Sequence, residues 1–252
     1  MPPSTVRLRV TRQDERNAST REEVFEIAYQ PNMNVIGCLM EIQKAPKLID
    51  GRKTTPVAWE CMCLEEVCGA CTMVINGQVR QACSALIDPL LEEDSEIRLE
   101  PMSKFPLVRD LVVDRSIMFE NLKRIKAWIP IDGTHDLGPG PKMSMEEQQT
   151  AYDFSRCMTC GCCLEVCPQV NERSNFMGAA ALAQAVLFNS HPTGAMNRGE
   201  RMEAIMGPGG VSDCGNAQAC VEACPKEIKL TEGIAALGRM ATMEFFGKWL
   251  RR

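Results

Sequence analysis

The sequence predicts an α+β protein in two parts, a mixed-β part over residues 1–106 and a helical part over 107–252. Three observations predict this. Apolar–polar alternation and an Asn-Gly turn are confined to the first part. Apolar residues spaced three and four apart dominate from Leu107 onward. The cysteines fall into three blocks, one in the first part and two in the second. With 252 residues, 45% of them hydrophobic, the chain can bury two modest cores.

Taken in order, "VRLRV" at 6–10 and "FEIAY" at 25–29 alternate as half-buried strands do. "NVIGCLMEIQKA" at 34–45 sets Val35, Ile36, Leu39, Met40 and Ile42 at helical spacing behind Asn34 as N-cap, with Cys38 a small buried residue. "TMVINGQVRQAC" at 72–83 turns at Asn76-Gly77 as a hairpin, and "EIRLEP" at 96–101 is a closing strand. "LVRDLVVDRSIMFENLKRIKAWI" at 107–129 predicts one amphipathic helix through Leu111, Met118, Leu122, Ile125 and Trp128. A Gly/Pro-rich loop at 130–142 follows, then helices near 145–156, 176–189, 198–206 and 231–250. Within these, "MGAAALAQAVLF" at 177–188 is a core helix, too short to span a bilayer.

Charge and composition exclude some classes. A net charge of −5 argues against nucleic acid as a main partner. No run of eighteen apolar residues occurs, and "MPPSTVRLRV" lacks the apolar core of a secretory signal, so the chain is expected on the cytoplasmic side. Fourteen cysteines in a chain of this kind then point to metal rather than to a disulfide framework.

Cys63, Cys68, Cys71 and Cys83 form C-x4-C-x2-C-x11-C, the plant-type spacing for a [2Fe–2S] cluster. Gly69 lets the loop turn its N–H groups toward the sulfurs, and the hairpin returns Cys83. Cys61 lies outside the spacing and is read as a non-ligand. Zinc is the alternative, although zinc ribbons use two separated cysteine pairs.

"CMTCGCCLEVCP" at 157–168 has the C-x2-C-x2-C-x3-C-P spacing of bacterial ferredoxins. Cys157, Cys160 and Cys163 can hold three corners of a [4Fe–4S] cube. The fourth cysteine of such a run, Cys167, serves the other cluster, and Cys224 returns by the same exchange. Cys162 is left over as a non-ligand. "CGNAQACVEACP" at 214–225 repeats the register but places Ala217 opposite Cys160. Cys167, Cys214 and Cys220 then hold a [3Fe–4S] cluster; an open-corner cube closed by water or Asp213 is the alternative.

Nothing else in the sequence assembles into a catalytic constellation. "GPGG" at 207–210 has no following lysine and no preceding strand, so it is no phosphate loop. His135 and His191 are read as structural, and Glu65-Glu66 as a solvated face.

The residues "WECMCLEEVCGACTMVINGQVRQAC", "KAWIPIDG", "CMTCGCCLEVCP", "HPTGAMNR" and "CGNAQACVEACPKEI", in this order, resemble the iron–sulfur subunit of succinate dehydrogenase and fumarate reductase. The resemblance is closest to the form paired with a one-subunit dihaem cytochrome b anchor. It implies a β-grasp plant-ferredoxin domain followed by an α-helical bacterial-ferredoxin domain. It also implies a peripheral place on the cytoplasmic face of the membrane, reached only through the anchor. Electrons would pass from covalent FAD on a flavoprotein subunit through [2Fe–2S], [4Fe–4S] and [3Fe–4S] to haem b and quinone, with no substrate site on this chain. Ubiquinone-reducing relatives carry tryptophans after the second block's Cys-Pro and a histidine after the third block's first cysteine. Gln169-Val170-Asn171-Glu172 and Gly215 stand there instead, which implies menaquinone handled inside the cytochrome. The competing readings are the iron–sulfur subunit of another flavin-linked membrane oxidoreductase and a free multi-cluster ferredoxin. Ala217 and the long helical segments weigh against both. The tail at 242–252, with Phe245, Phe246 and Trp249 among basic residues, is expected to pack its aromatics within a complex.

Overall fold

The structure, a computed structural model, describes residues 4–130 and 141–250, with side chains to 247. His135, Trp249 and the two terminal arginines lie outside these described residues and side chains. The chain divides into two compact units, one ending at Arg115 and the other beginning at Ser116.

In the first unit, β1 (Thr5–Arg12) pairs antiparallel with β2 (Arg21–Ala28) and parallel with β5 (Ile97–Glu100). The hairpin of β3 (Thr72–Ile75) and β4 (Gln78–Gln81) joins the other edge of β5, giving the order β2-β1-β5-β3-β4. Between the strands in sequence lie α1 (Val35–Lys44) and α2 (Ile87–Glu93). The expected alternation holds in β1: Val6, Leu8 and Val10 are buried, while Arg7 and Arg9 face outward. Arg7 sits opposite Glu26 in the register and pairs with it at 3.2 Å, a surface contact worth well under about 1 kcal/mol. Asn34 caps α1 by accepting the Gly37 N–H at 2.8 Å, and Val35, Ile36, Cys38, Leu39 and Ile42 enter the core. Met40 does not; it is 47% exposed on the far side of the helix. The Asn76-Gly77 turn takes φ of 48° and 78°, as a two-residue hairpin requires.

The helix expected over 107–129 is corrected. Its first part is a short hairpin of β6 (Leu107–Arg109) and β7 (Val112–Val113), with Asp110 left-handed at φ 48°. The reason is a buried ion pair. The Asp110 carboxylate, fully buried, accepts from Arg12 Nε at 2.9 Å, from the Gln13 N–H at 3.2 Å and from the Ala58 N–H at 2.8 Å. Arg12, also fully buried at the end of β1, donates further to Glu23, to Thr55 and to the Pro56 carbonyl. This network carries the first unit past Pro106 to Arg115.

The second unit starts with α3 (Ser116–Arg124), which keeps only the later half of the expected amphipathic helix. Then come α4 (Met145–Ser155), α5 (Cys162–Glu165), α6 (Ala179–Ser190), α7 (Arg198–Met206), α8 (Ala219–Glu222) and α9 (Leu230–Leu250). The four longer helices from α4 onward fall where periodicity puts them. Ser144 and Glu147 form a reciprocal capping box at the start of α4. α6 is the centre: Ala179–Ala183 and Ala185 are buried, and small residues let α3, α4, α5, α7 and α9 all pack against it. Arg201 of α7 is fully buried and donates to the carbonyls of Ile125, Lys126 and Gly194 and to Asn189 Oδ1, at 2.7–3.1 Å. No carboxylate pairs with it among the described residues. Among the described residues no helix is long and apolar enough to cross a membrane.

Candidate metal centres

The first cysteine block is a loop whose donors point inward and whose outer carbonyl is tied down. Leu64, Glu66 and Gly69 take positive φ of 60°, 55° and 69°, which winds the backbone around the thiols. The Glu65 and Val67 N–H groups donate to Cys63 Sγ at 3.4 and 3.3 Å, and the Ala70 N–H to Cys68 Sγ at 3.4 Å. The Glu65 and Val67 bonds pull the Cys63 thiol down to about 7. Burial does the reverse to Cys71, pushed up to about 12, with Cys83 hydrogen-bonded beside it. A thiolate at Cys71 therefore needs a positive partner beside it. The Gly69 carbonyl accepts from Thr72 Oγ1 at 2.8 Å and Arg115 Nη1 at 2.6 Å, and Gln81 Nε2 donates to Thr72 Oγ1 in turn. Spacing along the chain pointed to the cysteines but not to this Thr72–Gln81–Arg115 support. Cys61 is exposed, and Glu66 accepts from Ser84 Oγ at 2.6 Å while Glu65 stays exposed.

In the second unit the two repeats place their cysteines around two hollows. Cys157, Cys160, Cys163 and Cys224 line one of them, together with Met118, Ile228 and Leu230. Cys162, fully buried, lies on the same wall. Burial raises the Cys157 and Cys163 thiols, and negative charge on Cys160 and Cys224 raises both further. The other hollow is lined by Cys167, Cys214 and Cys220, with Ala217, Gln169 and Gln218 on its rim. Here burial raises Cys220, and charge on Cys167 and Cys214 adds to it. Asp213 faces away from this hollow; its carboxylate accepts the Gly209 N–H at 2.8 Å.

Each last cysteine thus crosses to the other repeat's hollow, and the short helices α5 and α8 lie side by side to allow it. The backbones match too. Thr159 and Asn216 take φ of 54° and 52°, Gly161 and Gln218 take 94° and 64°. Gln218 holds a left-handed conformation that costs an ordinary side chain about 1–2 kcal/mol. Its place opposite Gly161 was visible in the repeat. The thiols border open space: among the described residues no group of three or more His, Cys, Asp or Glu side chains is placed to hold a single ion. Thiolates spread in this way suit clusters, whose sulfides and several irons fill the space between them. His191 has the structural role expected, accepting the Gly194 N–H at Nδ1 over 3.2 Å.

Two family profiles match the chain, a 2Fe-2S iron-sulfur cluster binding domain over residues 7–120 and a 4Fe-4S dicluster domain over residues 153–228. The chain is 59% identical to the succinate dehydrogenase iron-sulfur subunit of Bacillus subtilis, over 96% of this chain and 94% of that one. It is 30% identical to the fumarate reductase iron-sulfur subunit of Wolinella succinogenes, over 92% and 95% of the two chains. Among solved structures, a chain of the Mycobacterium smegmatis Sdh1 complex in the apo form superposes with a TM-score of 0.81 at 25% identity, covering 97% of this chain and 98% of that one.

Proposed function

The chain belongs to the family of iron–sulfur subunits of succinate dehydrogenase and fumarate reductase, and from that premise we propose a ligand set for each of its centres. Subunits of this family carry [2Fe–2S], [4Fe–4S] and [3Fe–4S] clusters and transfer electrons inside an oxidoreductase complex with a flavoprotein and a membrane anchor. Cys63, Cys68, Cys71 and Cys83 hold the first cluster in this reading. Cys157, Cys160, Cys163 and Cys224 hold the second, and Cys167, Cys214 and Cys220 the third. The cluster-binding parts act as two domains, the first with one cluster and the second with two. The single observation that carries the proposal is the hollow bordered by three thiols with Ala217 where the repeat calls for a fourth.

When bound, such clusters accept and release one electron at a time with little change of shape. The chain's own work is to hold them and set their surroundings. N–H groups of Glu65, Val67 and Ala70 stabilise negative charge on Cys63 and Cys68 sulfur. Buried Ile228, Leu230 and Ala180 keep water from the second centre. We further propose a dihaem cytochrome b as the anchor, the cytoplasmic face of the membrane as the place, and menaquinone as the quinone. Gln169 and Gly215, standing where ubiquinone-linked relatives carry larger side chains nearby, support the last of these.

The test is low-temperature EPR on membranes containing the complex. An oxidised three-iron cluster carries an odd electron, whereas oxidised two-iron and four-iron clusters are silent. The expected result is a signal that appears on oxidation, fades when succinate is added and is lost with Ala217→Cys. Absence of the signal from the unmodified complex overturns the three-thiol assignment.

A further inference from the structure

The two repeats trace the same backbone around different side chains, so their differences isolate what is special to the third centre. Met158 of the first repeat is matched by Gly215, Cys160 by Ala217 and Gly161 by Gln218. The space left bare at Gly215 is not empty. The Gln169 side chain, reaching over from the first repeat, fills it: a Cβ on Gly215 would lie 2.6 Å from Gln169 Nε2 and 3.3 Å from Gln169 Cδ.

Gln169 is held there by its neighbours. After Cys167-Pro168, the Val170 N–H donates to the Cys167 carbonyl at 3.1 Å. Asn171 then bridges the turn, its Nδ2 donating to the Pro168 carbonyl at 2.9 Å and its Oδ1 accepting the Arg173 N–H at 2.9 Å. The turn is fixed, and Gln169 stands on the rim of the hollow beside Cys167, Cys214 and Cys220. Its carboxamide is half-buried and has no hydrogen-bond partner among the described residues. A carboxamide brings two N–H donors, and leaving them unsatisfied under partial burial is costly. Three thiols share the hollow with it, alongside Asn216 and Gln218, and become anionic on binding iron.

We propose that Gln169 is a hydrogen-bond donor to the sulfur-rich centre held by Cys167, Cys214 and Cys220, and that Gly215 is bare to make room for it. A donor aimed at sulfur favours the more negative, reduced state of a cluster and so raises its reduction potential. Gln169 thereby sets the last step of the electron path to the anchor. This rests on the three-thiol assignment above.

The experiment is an EPR-monitored redox titration of the third centre in the intact membrane-bound complex. Gln169→Leu keeps the bulk and removes the N–H groups. It is expected to lower the midpoint by roughly a tenfold change in the reduced-to-oxidised ratio at fixed poise, about 59 mV for one electron. The coupling of the oxidised signal to an exchangeable proton is expected to disappear with it. Gly215→Ala, which pushes the carboxamide off the rim, should lower the midpoint in the same direction, and the double variant should fall no further than Gln169→Leu alone. A signal present in the parent and an unchanged midpoint in Gln169→Leu overturns the proposal while the thiol assignment stands. A parent with no oxidised signal overturns the assignment itself. Should Gln169→Leu lose the cluster, Gly215→Ala decides, since an unchanged midpoint and proton coupling there also overturn the proposal.

Discussion

Asp110→Ala is expected to destabilise the first unit by about 3 kcal/mol, because the buried Arg12 guanidinium keeps Glu23 as its one remaining carboxylate and two backbone N–H groups lose their acceptor. Arg12 and Asp110 are both fully buried and meet at 2.9 Å. Alanine would also strip the acceptor from the Gln13 and Ala58 N–H groups. Asp110→Asn should cost less. Its amide oxygen can still accept from Arg12 Nε and Gln13, and only the Ala58 bond is lost along with the charge. Limited proteolysis of the purified subunit in increasing urea measures both. The effect should reach the first metal centre, because Ala58 leads directly into the 61–71 loop. A broadened EPR line from the reduced two-iron cluster is the expected sign. A cost below about 1 kcal/mol would show that Glu23 alone suffices to hold the Arg12 charge.

The second large effect is at Arg201. Its guanidinium satisfies Asn189 and three backbone carbonyls, two just past the C-terminus of α3 and one, Gly194, in the turn after α6. Arg201→Met keeps much of the volume but orphans all four acceptors, each at about 1–3 kcal/mol before relaxation. The helical unit should lose several kcal/mol, on the order of 3 or more. Arg201→Lys should recover less than half, since an ammonium cannot span acceptors that a planar fork reaches. The readout is the temperature at which the oxidised third-centre signal is lost from the complex. A shift smaller than about 2 °C would mean that the carbonyls find other donors.

Neither arginine was legible as a core residue. Arg12 ends an alternating strand on the buried phase of the pattern, yet its partner Asp110 lies 98 positions away. That same distant contact is why residues 107–113 fold as a hairpin although their apolar spacing suits a helix. Periodicity records local preference, and a buried charge overrides it. Where local chemistry decides, the sequence was readable: the Asn34 cap, the Asn76-Gly77 turn and the apolar run of α6 all sit where expected. The gathering of the helical unit's cysteines around two hollows follows from their spacing in the two repeats. What spacing could not reveal is how the loops are supported. Thr72, Gln81 and Arg115 converge on the Gly69 carbonyl, and Gln169 meets Gly215, only once the chain has folded.

The crossing of Cys167 and Cys224 has a consequence for how the helical unit can be built. Each repeat lends its final thiol to its neighbour, like two people who can fasten only each other's clasp. A chain cut before Cys214 would not be half of a working pair. Its first hollow would be reduced to Cys157, Cys160 and Cys163, and Cys167 would be left facing nothing. On the proposed ligand sets neither repeat completes a centre by itself, so the two centres stand or fall as one part.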